Sequence, residues 1–198
     1  MLPTHALAGM VLALPVVVIA PELAGVALLA GLAGGVLPDL DMYVGHRKTL
    51  HYPVYYSLAA VAAVVVAAVV WTAATVVVAL VALGAAAHSV SDVFGGGLEL
   101  RPWEATSRRA VYNHHGGRWI SPRRWVRYDG APEDLVLSVA LATPLFLVVS
   151  GQFRWLVLGA VCVAGVYTAV RRVLPTLAQE LVATLPGEFR TYVPPRYR

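Results

Sequence analysis

The chain alternates between long tracts without a charged residue and short polar stretches that hold nearly all of its ionisable groups. Residues 6–21 and 23–38 are uncharged and are separated by Pro21-Glu22, a break between two helices. Residues 53–87 follow without a charge, a run far longer than one helix needs to cross about 30 Å of hydrocarbon at 1.5 Å per residue. Division near Trp71-Thr72 gives two helices of about 53–70 and 73–92. Two further tracts, 135–151 and 155–170, are separated by Gly151-Gln152-Phe153-Arg154, and the second ends at Arg171-Arg172. The pattern predicts an all-α integral-membrane bundle of about six transmembrane helices.

Composition supports a lipid rather than an aqueous setting. Hydrophobic residues make up 59% of the chain and charged residues 13%, with a mean hydropathy of +0.70, whereas a soluble domain is about 25% charged. A soluble fold of this size buries one such helix, not a near-continuous series. The first tract does not read as a cleaved signal peptide, because it lacks a basic leader and is interrupted by Pro15 and Pro21. Cys162 is the single cysteine, which excludes a disulfide framework and a cysteine-based metal site. Alanine, valine and glycine dominate the spans and permit close helix packing in lipid.

With six spans, one membrane face receives the N-terminus, the 38–52 loop, the 92–133 loop and the C-terminal tail. Every Lys and Arg except Arg154 falls on that face. The positive-inside rule therefore predicts a multi-pass membrane protein with both termini and both large loops cytoplasmic. The expected organisation is a transmembrane domain over 1–173 with a cytoplasmic loop at 93–131, then a short interfacial helix and polar tail over 174–198.

All six histidines fall on the same face, although they played no part in the orientation. Three carboxylates accompany them. Pro38-Asp39-Leu40-Asp41 ends the second span, His46-Arg47 and His51 follow, and His88-Ser89-Val90-Ser91-Asp92 closes the fourth. Two carboxylates at a membrane boundary call for a counter-charge, which a metal ion supplies. His88 and Asp92, at i and i+4, share one helix surface as paired ligands require. The candidate metal ligands are His5, Asp39, Asp41, His46, His51, His88 and Asp92, a set large enough for one or two divalent ions. Imidazole mixed with carboxylate suits Zn or Mn. Each member has a plainer reading: an interfacial Asp as a solvated cap, Asp41 as the N-cap of a short turn, an interfacial His as a hydrogen-bonding anchor. Asp39 or Asp41 can instead orient a histidine. His88 resists the plain reading, because the preceding stretch is wholly apolar and its imidazole needs a partner.

The order Thr4-His5, Gly35-Val36-Leu37-Pro38-Asp39-Leu40-Asp41, His46-Arg47-Lys48-Thr49-Leu50-His51 and His88-Ser89-Val90-Ser91-Asp92, then Gly95-Gly96-Gly97 and Arg101-Pro102-Trp103, resembles the YdjM-like family of inner-membrane, metal-dependent hydrolases. The likeness covers about residues 4–103. The family pattern has an N-terminal His, P-D-x-D, H-R-G-x-T-H-S, and H-x-x-x-D before a Gly-containing turn. Lys48, Leu50 and Tyr52 stand where that pattern has Gly, Thr and Ser. The chain is similar, more distantly, to zinc-dependent phospholipase C, in which histidines and aspartates in a comparable order bind a metal cluster that cleaves phosphodiesters. The resemblance implies a divalent-metal hydrolase.

In such a mechanism a bound ion activates water, Asp39 serves as general base or orients that water, and Arg47 pairs with a phosphate oxygen. Arg47 also reads simply as an inside-face charge. The 93–131 loop carries seven arginines interspersed with Trp103, Trp119, Trp125, Tyr112 and Tyr128, a mixture suited to the headgroups of an anionic leaflet. No nucleic-acid-binding module accompanies it, so membrane lipid and an amphiphilic small-molecule substrate are the expected partners. His114 and His115 sit in a Gly-containing turn and are left outside the ligand set. Leu177 to Leu185 forms a modest amphipathic run that suits a surface helix. A metal or proton transporter is the main alternative function, and a structural membrane protein with a bound metal the third. A transporter should place ionisable groups near mid-span, and the centres of the expected spans have none.

Overall fold

The computed structural model describes residues 1–193 and is mostly helical. Helices α1 (Leu2–Leu12), α2 (Leu14–Ile19), α3 (Ala24–Val36), α4 (Pro53–Val69), α5 (Ala73–Ser91), α6 (Pro132–Val148) and α7 (Gly151–Val170) make the bundle, followed by α8 (Leu174–Thr184) and α9 (Gly187–Arg190). The end of the expected polar tail, residues 194–198, lies outside the described residues. Four stretches are long and apolar enough to cross a membrane: Leu2–Ile19, Pro21–Asp41, Ala73–Phe94 and Gly151–Val170. Helices α4 and α6 have 17 residues each, about 25 Å of rise against about 30 Å of hydrocarbon.

Local chemistry explains where the helices stop. Pro15 cannot donate to the ladder, and α1 gives way to α2 at Ala13. Pro38 has the same effect on α3, which passes into a 3-10 turn over Leu37–Asp41. The long tract from residue 53 breaks at Val70–Thr72, where Thr72 accepts from the Thr75 backbone N–H at 3.2 Å and the Thr75 hydroxyl accepts from the Thr72 N–H at 3.1 Å. This reciprocal capping box starts α5 without help from Gly or Pro. Between α6 and α7 the break is tighter than expected. Gly151-Gln152-Phe153-Arg154 is the first turn of α7, not a loop, and the Arg154 guanidinium lies 4.7 Å from the Phe146 ring centroid.

Helices α1, α3 and α5 pack backbone to backbone through glycine. A Cβ on Gly9 of α1 would lie 2.0 Å from the Gly31 carbonyl oxygen of α3, and one on Gly35 would lie 2.3 Å from the His5 carbonyl oxygen. On the other side of α3, a Cβ on Gly34 would meet the Val81 oxygen at 2.3 Å, and one on Gly84 of α5 would meet the Gly35 nitrogen at 2.7 Å. Small residues are what allow helices to approach this closely in lipid. Leu7, Met10, Leu28, Val76, Leu80, Leu145 and Val157 fill the core. Outward faces remain apolar, with Val61, Val65 and Val69 of α4 and Trp155 and Val166 of α7 all exposed, as lipid contact requires.

A buried polar knot ties α1 to α6. Asp134, at the start of α6, accepts from the Thr4 hydroxyl and, at 2.8 Å, from the Gly130 N–H, while the Thr4 and Ser138 hydroxyls lie 2.8 Å apart. The polar loop between α5 and α6 corrects the purely helical expectation. It contains an antiparallel ribbon, β1 (Val111–Asn113) and β2 (Arg118–Ile120), paired Val111 to Ile120 and Asn113 to Arg118. Its turn is set by the Asn113 side-chain oxygen, which accepts from the His115 and Gly116 N–H groups at 3.0 and 3.1 Å.

The glycine contact gives a direct prediction. Gly9→Ala must push α1 away from α3, and a backbone carbonyl cannot step aside as a side chain can; the expected cost is about 1–3 kcal/mol or more. Equilibrium unfolding in detergent should show this loss, and an unchanged stability would contradict the backbone-to-backbone packing.

Candidate metal centre

The residues singled out in the sequence meet at one end of the bundle. His5 comes from the first turns of α1, Asp39 and Asp41 from the 3-10 turn after α3, His46, Arg47 and His51 from the segment before α4, His88 from the last turn of α5, and Asp92 from the 3-10 turn that follows. Two trios, His5–His88–Asp92 and Asp39–His46–His51, each place one ligand-type atom per residue within 4.8 Å of the others. Two distances then link the trios, His51 Nε2 to Asp92 Oδ2 at 3.3 Å and His88 Nε2 to Asp39 Oδ1 at 3.4 Å.

Asp41 organises the segment around it. Its Oδ2 accepts from the His51 Nδ1 and the Leu50 N–H, each at 3.0 Å, and its Oδ1 accepts from the His46 Nδ1 at 3.0 Å and the Arg47 N–H at 3.3 Å. Both oxygens are thus occupied by donors, and the carboxylate holds two imidazoles by their Nδ1 atoms. The same arrangement recurs at His88, whose Nδ1 donates to the Gly35 carbonyl at 2.6 Å. In each neutral ring the proton is therefore on Nδ1, leaving Nε2 as a bare acceptor.

The Nε2 atoms of His51 and His88 point at further acceptors. The His51 Nε2 lies 3.8 Å from Asp39 Oδ1 and 3.3 Å from Asp92 Oδ2, and the His88 Nε2 lies 3.4 and 3.6 Å from the same two atoms. Both nitrogens are buried without a hydrogen-bond partner. Four lone pairs converging on one point repel one another unless a cation or a proton sits between them. Tetrahedral coordination at 2.0–2.2 Å demands six ligand–ligand edges of roughly 3.3–3.6 Å, and the four His–Asp edges run from 3.3 to 3.8 Å. Burial opposes a charge on His51, yet the neighbouring carboxylates of Asp41 and Asp92 outweigh it and raise its pKa above the ordinary 6.5.

The remaining groups brace this set. His5 donates through Nε2 to Asp92 Oδ1 at 3.0 Å, and its ring stacks on His88 with centroids 3.8 Å apart. His46 is partly exposed, with its Nδ1 3.9 Å from Asp39 Oδ1. Arg47 is buried, with Nε 3.3 Å from Asp92 Oδ2 and Nη1 donating to the Gly96 carbonyl at 2.7 Å. It adopts a left-handed backbone at φ 59°, a strained conformation for a residue with a side chain. His114 lies outside the cluster and donates through Nε2 to the Lys48 carbonyl at 2.7 Å, which docks the ribbon onto the segment that carries the ligands.

His5, Asp39, His46, Arg47 and Asp92 of the cluster border a cavity of about 550 Å³, within the range of small-molecule sites. Several groups along it were not singled out in the sequence. The Glu99 carboxylate oxygens are buried without a hydrogen-bond partner, 3.9 Å from the Arg124 guanidinium at the nearest. Arg171 holds Asp129 through Nε at 3.2 Å, and the Tyr167 hydroxyl donates to the same carboxylate. Burial works against the Asp129 charge, but the amino terminus, Arg171 and Tyr167 prevail and lower its pKa. No local sequence pattern marks Asp129 with Arg171, because they lie on separate elements. No family model, curated protein or solved structure matches the chain.

His88→Ala combined with Asp92→Ala removes two of the four converging atoms. Elemental analysis of purified protein should find one or two divalent ions in the wild type and at least one fewer in this variant, at unchanged helical content. Full metal content in the variant would rule out the assignment.

Proposed function

We propose that this chain is a membrane-bound, divalent-metal-dependent hydrolase acting on a phosphoester or lipid-linked phosphate. The observation that carries the reading is the pair of buried, unpartnered imidazole nitrogens of His51 and His88 facing the carboxylates of Asp39 and Asp92. Zinc or manganese, as one ion or two, suits this mixture of donors. Asp39, His51, His88 and Asp92 would hold such an ion, which would supply a bound water of pKa lowered toward about 7 and a Lewis acid for a phosphoryl oxygen. The motif resemblance of residues 4–103 to YdjM-like hydrolases points the same way.

The chain's own groups divide the work. Asp39 is the ligand-set carboxylate that borders the cavity with the greater exposure, 12% against 2% for Asp92, so it is placed to take a proton from water. Arg47 borders the same cavity and fixes Asp92, keeping a guanidinium charge beside the site of attack. Asp41 fixes the His46 and His51 rings, and His5 fixes Asp92. Burial of this set limits access to the cavity side.

Six crossings, with both termini and the metal end in the cytoplasm, complete the proposal. They accord with the basic residues and with the position of the cluster at one end of the bundle. Beneath it the core is apolar, with Leu7, Met10, Leu28 and Leu80, which favours a reaction at the interface over a path through the membrane.

Purified, metal-loaded protein should release product from a phosphoester in a metal-dependent way, and Asp39→Asn should be slower by ~100-fold or more if Asp39 takes the proton. A broad screen of phosphoesters without metal-dependent turnover would refute the hydrolase reading.

A further inference from the structure

The cavity does not end at the metal centre. It continues along one face of α7, where Val163, Tyr167 and Arg171 succeed one another at intervals of four residues, and along α8, where Leu174 and Ala178 border it. Eight residues of helix correspond to about 12 Å of rise, so the wall descends that far from Arg171 to Val163. Arg171 follows directly on the candidate span Gly151–Val170, and Val163 lies two turns inside it with 59% of its surface exposed. Only 11% of that span is buried within the protein, so α7 stands at the edge of the bundle with its apolar surface uncovered.

Charged groups of the candidate centre, His5, Asp39, Arg47 and Asp92, border the same cavity as Val163, Leu174 and Ala178 of the α7–α8 arm, and the loop adds Leu98, Glu99 and Leu100. On the arm the Asp129–Arg171 ion pair also borders the cavity, with its charges compensating each other. Along its outer side α8 exposes Leu177 and Leu181, an amphipathic arrangement suited to the headgroup boundary.

We propose that the α7–α8 arm binds the hydrocarbon chain of the substrate, which enters sideways from the bilayer and leaves its phosphoester at the metal centre. This inference rests on the hydrolase reading for the head but not for the tail. Continuity of the arm with the ligand set names the occupant: a chain attached to a polar head that reaches the metal end, as distinct from lipid that merely coats the helices. Val163 and Ala178 then determine the chain length accepted.

The test uses full-length protein in lipid nanodiscs and an alkylphosphonate with a photoreactive diazirine at the end of its chain. Labelling should concentrate between Val163 and Ala178, and unlabelled decylphosphonate should compete it away while ethylphosphonate does not. Val163→Trp with Ala178→Trp should lower the competed labelling at least about tenfold, equivalent to about 1.4 kcal/mol, with metal content unchanged. Labelling spread evenly over α4 and the other exposed helices, uncompeted, would overturn the arm even if metal-dependent turnover persists. Competed labelling in the arm that accompanies a protein without metal would uphold the tail site and refute the hydrolase reading instead.

Discussion

The contact on which the rest depends is the approach of α1, α3 and α5 at glycine. With Gly9 against Gly31 and Gly35 against His5, the helix axes come close enough for residues at the ends of different helices to share one small volume. Gly35 also acts through its carbonyl, which accepts from the His88 Nδ1 and so determines which nitrogen of that ring is bare. Packing here selects the tautomer. A side chain at any of these glycines would separate His5 from His88, which now stack at 3.8 Å, and would move Asp92 away from the ligands donated by the other helices.

The same volume concentrates charge in a way that an apolar bundle tolerates poorly. Asp41 is satisfied by four donors, whereas the His51 and His88 Nε2 atoms have none. A structural hydrogen-bond network would distribute donors and acceptors more evenly, since each orphaned polar group costs about 1–3 kcal/mol. The asymmetry between a saturated Asp41 and a cluster of facing acceptors is that of a metal site with its supporting contacts. Strain at Arg47, held left-handed between Asp92 and Gly96, fits a site whose geometry is imposed by its surroundings.

Much of this was legible in the chain, because the signals were local or were enforced by topology. Uncharged tracts delimit the helices, and spacing alone puts His88 and Asp92 on one surface. The break near Trp71 followed from bilayer thickness, yet the Thr72–Thr75 capping pair that makes it lay unread in the sequence. Other features depended on distant partners. The Val111–Ile120 ribbon is too short to show alternation and sits in an arginine-rich loop. Gly151 looked like a separator, although Ser150 before it adopts an extended N-cap conformation and the helix starts at once. The Asp129–Arg171 pair and the apolar arm beside it arise from packing between elements, which no spacing rule reports. Nor does sequence show that both Asp41 oxygens are engaged; only the fold of residues 42–51 around them does.

X-ray absorption at the zinc edge of zinc-loaded protein tests the central claim most directly, because it reads the atoms around the ion without requiring a substrate. The account predicts a shell of nitrogen and oxygen at about 2.0–2.2 Å, with the outer-shell scattering of two imidazoles, and loss of one imidazole contribution in His88→Ala. A shell of oxygen alone, or scattering that His88→Ala leaves unchanged, would contradict it.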